Sequence, residues 1–310
     1  MTETSSRLKL GTRGSALARW QADHVTERLK TLHPDLAVEI VIITTTGDQV
    51  IDRPLSAIGG TGVFTKEFER ALVDEEIDLA VHSLKDMPTL LPEGLALGAV
   101  LEREDPRDAL ISATGATLTE LPDGATLGTG SQRREAQIRQ VRPDLNIVDL
   151  RGNVPTRLGR LDEGNCDAII LASAGLSRLG LADRITERLS TDVMLPAAGQ
   201  GAIGLEIRDQ DGIGELLTGI EHDDTRAAVD AERAFLAETG GGCRVPVGVL
   251  GTIRGGFVIL QAMIAPPGGG EAIRDGMNGP VADAETVGRS LAQRMLSNGG
   301  RDILNSIPAG

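Results

Sequence analysis

Short aliphatic and β-branched runs alternate with amphipathic stretches along the first two thirds of the chain. Arg7–Gly11 reads as a strand, Ser15–Leu32 as a helix and Val38–Thr46 as another strand, the alternation of an α/β sheet covered by helices. Within Ser15–Leu32 the apolar positions Leu17, Trp20, Val25, Leu29 and Leu32 recur every three to five residues, and Ser15 is placed to cap the helix start. Trp20 lies on that stripe, which predicts a packing role.

A second block of the same texture runs from about Leu101 to Leu195. Strands are expected at Ala109–Ser112, Ala125–Gly128, Asn146–Leu150 and Asp167–Leu171, with helical patterns between them. The glycine-bearing stretch after Met194 then leads into a strand at Ile203–Ile207 that is expected to rejoin the first sheet. After Glu221 the texture changes. A helix near Thr225–Glu238 precedes the loop Gly240-Gly241-Gly242-Cys243, and Val245–Ile253 and Phe257–Ile264 read as a hairpin turned at Arg254-Gly255-Gly256. A helix at Ala284–Leu296 closes the pattern, and Gly268–Gly270 and Gly276–Gly279 are expected to be flexible surface loops. The division that follows is three domains: 1–101 with 197–221, 102–196, and 222–310.

Composition narrows the class. A chain of 310 residues exceeds what one core usually organises. The first ten residues hold no apolar run of the kind a signal peptide needs, and no run is long enough to span a bilayer, so a soluble, cytoplasmic protein is expected. Cys166 and Cys243 are the only cysteines, too few for a four-cysteine metal site, and no metal is expected. A net charge of −14 with 2% aromatic residues argues against a nucleic-acid partner. Only four of the 31 basic residues are lysines, so the arginines must be read by position.

Arginines crowd where helices begin, although the positive end of the helix dipole disfavours cations there unless something negative compensates. In Gly128-Thr129-Gly130-Ser131-Gln132-Arg133-Arg134 a strand meets a glycine and serine turn, and two arginines open the next helix. Free backbone N–H groups, a hydroxyl and two guanidinium groups predict an anion site. Gly11-Thr12-Arg13-Gly14-Ser15 and Asp149-Leu150-Arg151-Gly152-Asn153-Val154-Pro155-Thr156-Arg157 repeat the pattern, with Asn153 as cap and Pro155 in the first turn. None is a phosphate-binding P-loop or a dinucleotide fingerprint. The run Leu79-Ala80-Val81-His82-Ser83-Leu84-Lys85-Asp86 ends a strand in polar groups, where α/β sheets bind ligands. Asp86 could stabilise a developing cation and move protons, whereas His82 reads as a core or supporting residue. Cys243 sits in an adaptable loop, while Cys166 enters an apolar strand as a small hydrophobe.

Val81–Asp86, Arg133–Ile138, Asp149–Val154, Ala198–Gly204 and Gly240–Cys243 occur in an order and spacing that closely resemble the porphobilinogen deaminase family. The segments 59–67, 102–108 and 172–176 extend the resemblance to nearly the whole chain. It implies two periplasmic-binding-protein-like α/β domains around a cleft plus a small C-terminal α+β domain. It also implies a transferase that condenses four porphobilinogen molecules, with loss of ammonia, onto a dipyrromethane cofactor bound by a thioether to Cys243, giving hydroxymethylbilane. Porphobilinogen and the growing linear polypyrrole are then the partners, and a monomer is expected. Each pyrrole carries an acetate and a propionate, which explains a need for paired donors.

By the same resemblance Asp86 is the catalytic carboxylate. Lys85, Thr129, Ser131, Arg133, Arg134 and Arg151 join it and Cys243 around the cofactor, and Arg13, Ser15, Arg151, Arg157, Arg178 and Gln200 face substrate. Phe64 is expected either to stack on a pyrrole or to anchor a helix. Two departures stand out: Ala57 and Thr61 occupy loop positions where many relatives have lysines, and Thr46 stands before Gly47-Asp48 in place of a basic residue. A cytoplasmic two-lobed binding or sensor protein for a small polycarboxylate is the competing reading. Such a binder would need the arginines but neither Asp86 nor Cys243.

Overall fold

The computed structural model describes residues 7–49, 65–209, 211–240 and 245–306. In chain order the first elements are β1 (Arg7–Thr12), α1 (Ala16–Leu32), β2 (Ala37–Ile42), α2 (Thr46–Gln49), α3 (Lys66–Val73), β3 (Leu79–Ser83) and β4 (Leu95–Val100). There follow β5 (Asp108–Ser112), β6 (Thr126–Gly128), α4 (Gln132–Val141), β7 (Asn146–Val148), α5 (Val154–Asp162), β8 (Ala168–Ala172), α6 (Ser173–Arg178) and β9 (Glu187–Arg188). The remainder comprises β10 (Ile203–Arg208), α7 (Ile213–Leu216), α8 (Asp223–Glu238), β11 (Val247–Arg254), β12 (Phe257–Ile264), β13 (Ile273–Pro280), α9 (Ala284–Met295) and α10 (Arg301–Asn305).

These elements form an α/β protein with two compact units. The first takes the chain up to β2 and α2, then Thr65 to Arg103, and again Ala202–Arg226; the second takes Glu104–Gly201 and Ala227 onward. In the first unit the sheet order is β2-β1-β3-β10-β4, with β1 parallel to β2 and β3 and with β10 antiparallel to both its neighbours. The strand expected at 203–207 does rejoin the first sheet. Leu8, Leu10, Val25, Leu29 and Leu205 form the core on the α1 side, with Trp20 packed at its margin, and Phe68, Leu72 and Ile77 cover the other face. Burying such side chains contributes roughly 1.5–3 kcal/mol each.

The second unit repeats this topology with different connections. Its sheet order is β7-β6-β8-β5-β9, again with three parallel strands followed by an antiparallel one, here β5. The same unit holds the antiparallel sheet β11-β12-β13, whose core includes Phe235, Val249, Leu260, Leu291 and Met295 from α8, α9 and the strands. Ala136, Leu195, Leu250, Met263 and Ala265 pack this small α+β portion against α4.

Some boundaries differ from the pattern reading. The second strand stops at Ile42 because Asp48 draws the following residues into a turn, its Oδ2 accepting from Thr45 N at 3.2 Å and Thr45 Oγ1 at 2.8 Å. Gly276–Gly279 is no surface loop but the body of β13, paired with β12. Its glycines are there for close approach: a Cβ on Gly279 would lie 2.5 Å from Val287 Cγ2 of α9. Gly269, in the turn 268–270 at φ +98°, abuts the side chain of Arg139 on α4.

Candidate functional site

In both large sheets the polar motifs fall at the carboxyl ends of the parallel strands, where the backbone leaves the ladder and helix amino termini begin. In the first unit β1 delivers Arg13 and Ser15, and its parallel neighbour β3 delivers Lys85 and Asp86. Ser15 caps α1, its hydroxyl accepting from Ala18 N at 3.3 Å. Arg13 is partly buried and lays its Nε and Nη2 edge on Asp48, with Nε–O distances of 3.1 and 3.2 Å. Burial alone would raise the Asp48 pKa, but hydrogen bonds from Arg13 and Thr45 outweigh it and hold this carboxyl below its ordinary value. Asp48 therefore supplies Arg13 with a counter-charge from within the chain.

Beyond β3 the chain turns through Leu84–Asp86, a single 3-10 turn whose buried Leu84 anchors it while Asp86 stays exposed. Ser83, at the end of the strand, is held by Gln21 of α1, Nε2 donating to Oγ at 2.9 Å. Below it His82 is buried and bonds Glu206 of β10 at 2.8 Å, with its ring edge-on to Phe68. His82 is thus the supporting residue the sequence suggested.

In the second unit three adjacent parallel strands, β7, β6 and β8, feed α5, α4 and α6. Ser131 caps α4 by accepting from Arg134 N, and Asn153 caps α5 by accepting from Thr156 N at 2.9 Å. Thr129 is buried, its hydroxyl accepting from Ser131 N at 3.3 Å. The turns after β6 and β7 touch, because Gly130 has no side chain: a Cβ there would meet Asp149 Oδ1 at 2.7 Å and Arg151 Cγ at 3.8 Å. Arg151 consequently lies beside the amino terminus of α4. Its Nη1 is buried with no hydrogen-bond acceptor, and Oε1 of Gln132, in the first turn of α4, is buried with no donor. A buried guanidinium N–H without an acceptor is costly, and a carboxylate is the natural complement.

Arg133 and Arg134 are buried rather than open at the surface. Arg133 Nη1 donates to Asp108 Oδ2 and to Leu195 O, both at 2.7 Å. Arg134 donates through Nη2 and Nε to Asp108 Oδ1 at 2.7 and 3.2 Å, and through Nη1 to Ile170 O at 2.9 Å. Gln200 is buried in the same cluster, its Nε2 donating to Asp108 Oδ1 at 3.0 Å and Pro106 O at 2.7 Å. Arg178 donates to Gly201 O at 2.7 Å; burial lowers its pKa to about 10, against the opposing charge of Glu104. Arg157 Nε donates to Gly152 O at 2.8 Å, bracing the turn that carries Arg151.

Asp108 is the residue the sequence reading passed over. It lies within the segment 102–108 that carried the resemblance, yet no role was attached to it. The available signal was the electrostatic problem itself, since two arginines in one first helical turn require a counter-ion. Phe64 and Cys243, with Ala57 and Thr61, lie outside the described residues.

The first unit thus carries an exposed carboxylate, Asp86, at a strand end, and the second a cluster of arginines with one buried guanidinium nitrogen, Arg151 Nη1, unsatisfied. Comparison with known proteins agrees with that chemistry. The family model described as porphobilinogen deaminase, dipyromethane cofactor binding domain, matches residues 8–213, and that described as porphobilinogen deaminase, C-terminal domain, matches residues 227–297. The porphobilinogen deaminase of Syntrophotalea carbinolica is 50% identical over 305 residues, covering 98% of this chain and 97% of the relative. That of Chromobacterium violaceum is 50% identical over 304 residues, covering 98% of each. Among solved structures, the periplasmic VFT2 domain of Bordetella pertussis BvgS is similar at 16% identity and a TM-score of 0.40, over 69% of this chain and 86% of that one. With both family segments present and half of its residues shared with these relatives over nearly its whole length, the chain belongs to the porphobilinogen deaminase family.

Proposed function

We propose that this chain condenses four porphobilinogen molecules head to tail and releases hydroxymethylbilane, using the residues described above. Each condensation joins the aminomethyl carbon of one porphobilinogen to the free α-carbon of the preceding ring; ammonia leaves and the ring proton is lost. When bound, the dipyrromethane supplies the first nucleophilic α-carbon and a covalent tether for the product.

The residues present fit such a group. The unsatisfied Nη1 of Arg151, buried beside the Ser131 cap, is the observation that carries this reading, because a pyrrole acetate or propionate would complete it. Arg133, Arg134 and Lys85 add positive charge for the remaining carboxylates, with Thr129 and Ser131 as hydroxyl contacts. Cys243 is the attachment point, through a thioether. Arg13, Ser15, Arg157, Arg178 and Gln200 orient incoming porphobilinogen and the lengthening chain, with Phe64 stacking on or near a ring.

Asp86 accepts hydrogen bonds from pyrrole N–H groups and stabilises the positive charge that substrate acquires as ammonia departs. It then takes up or relays the proton lost from the attacked ring. Exposure at a strand end supports this role, since the carboxylate is reachable. Functionally the chain divides into 1–101 with 197–221, 102–196, and 222–310, acting as a cytoplasmic monomer.

The test is the intact mass of the full-length protein, followed by peptide mapping around Cys243. A gain equal to two porphobilinogens less two ammonias, localised to Cys243, is expected. Absence of any adduct after incubation with porphobilinogen, in a folded preparation, would leave only a polycarboxylate-binding protein.

A further inference from the structure

Asp108 is a buried carboxylate on which two arginines and a glutamine converge. It opens β5, opposite Ala172 of β8, so the ladder fixes where its carboxylate stands. It is fully buried and accepts from Arg133, Arg134 and Gln200. One carboxylate against two guanidinium groups leaves the cluster with a net positive charge. Burial alone would raise the pKa of Asp108, but the charges of Arg133 and Arg134 outweigh it and hold the carboxyl far below its ordinary range.

The way the two arginines use their donors is unequal. Arg134 spends its Nε and Nη2 edge on Asp108 and its Nη1 on Ile170 O. Arg133 is anchored through Nη1 alone, by Asp108 and Leu195 O. Its Nε and Nη2, the edge that grips a carboxylate with two parallel hydrogen bonds, make no hydrogen bond among the described residues although the side chain is only 8% exposed.

We infer that Asp108 is a positioning residue that holds Arg133 with its two-toothed edge presented to a carboxylate of the pyrrole ligand. Asp108 does not touch the ligand; it acts through Arg133. The inference rests on the proposed function for the nature of that ligand. Without the buried anion, the guanidinium groups of Arg133 and Arg134 repel each other at the positive end of α4, and the orientation is lost.

The experiment is a double-variant cycle on full-length protein produced without its cofactor, following by intact mass the rate at which porphobilinogen adds to it. Asp108→Asn is expected to slow loading at least tenfold in folded protein, and Arg133→Met to do the same. Asp108→Asn/Arg133→Met, which restores the wild-type net charge of the cluster, should load within about threefold of Arg133→Met alone, because the loss through Arg133 is already taken and Arg134 keeps its Nη1 bond to Ile170 O. A double variant another tenfold slower than Arg133→Met, or unable to fold, would overturn the inference by giving Asp108 a separate role. Wild-type loading by a folded Asp108→Asn protein would overturn it directly. Should Asp108→Asn not fold, the comparison of the double variant with Arg133→Met still decides. If wild-type protein itself gains no mass, the proposed function fails and this inference falls with it.

Discussion

Gln137 takes both main-chain groups of Leu195: its Oε1 accepts from Leu195 N at 2.8 Å and its Nε2 donates to Leu195 O at 3.0 Å. The same Oε1 accepts from Arg274 Nη2 on β13 at 3.1 Å, and Val249 N of β11 donates to Pro196 O at 2.9 Å. One stretch of extended chain thus ties helix α4, which opens with Arg133 and Arg134, to the sheet that follows the cysteine loop.

The tightest point of that joint is Gly248. A Cβ there would lie 2.8 Å from Leu195 Cβ and 2.9 Å from Leu195 O, a backbone atom that cannot step aside. Gly248→Val is expected to destabilise the protein by about 2 kcal/mol or more. Thermal or urea unfolding followed by circular dichroism measures it; an unchanged midpoint would mean the joint is looser than these distances imply.

Asp86 is exposed, so Asp86→Asn should leave stability within about 0.5 kcal/mol of wild type. Turnover should fall by roughly two to four orders of magnitude, the range for loss of a positioned acid–base group. Parallel measurements of unfolding and hydroxymethylbilane formation separate the two effects, and near-normal turnover would remove the catalytic assignment.

Arg151→Leu should slow cofactor loading or elongation by an amount equivalent to about 2–5 kcal/mol, because a buried carboxylate loses its charged partner. Arg151→Lys should recover only part of this, since an ammonium cannot reproduce the planar fork. Single-turnover elongation monitored by mass spectrometry reports both.

Cys243→Ala should carry no covalent pyrrole, even after prolonged exposure to porphobilinogen. An adduct of the same mass on that variant would place the thioether elsewhere, and Cys166 is buried at the base of β8.

Asp108 also makes a prediction about acid. Its folded pKa lies far below the value of about 3.9 that an unfolded aspartate shows, so its contribution is complete above that value and is lost only as pH falls below it toward the folded pKa. Stability attributable to Asp108 should therefore be flat above about pH 5. Between roughly pH 4 and pH 2, folded Asp108→Asn protein should lose stability less steeply than wild type, by up to about 1.4 kcal/mol per pH unit. Equal slopes would contradict the depressed value.

Local pattern made much of this protein legible. Alternating runs foretold both α/β sheets because strand and helix periodicities are properties of neighbouring residues. Ser15 and Asn153 were recognisable as caps for the same reason, and the motifs from Val81–Asp86 to Gly240–Cys243 identified the family. Long-range pairing was not legible. Nothing near Asp108 indicates that its partners lie 25 and 26 residues away on α4, and nothing near Gly276–Gly279 separates a glycine loop from a strand packed under α9. Arg133 and Arg134 looked like open anion ligands because a sequence displays charges without their counter-charges. Sequence alone determined the succession of strands and helices, two of the helix caps and the family, since propensity, capping and motif order are written in neighbouring positions. Tertiary structure alone decided which donors remain for a ligand, since burial and ion pairing are settled by segments that meet only in the folded chain.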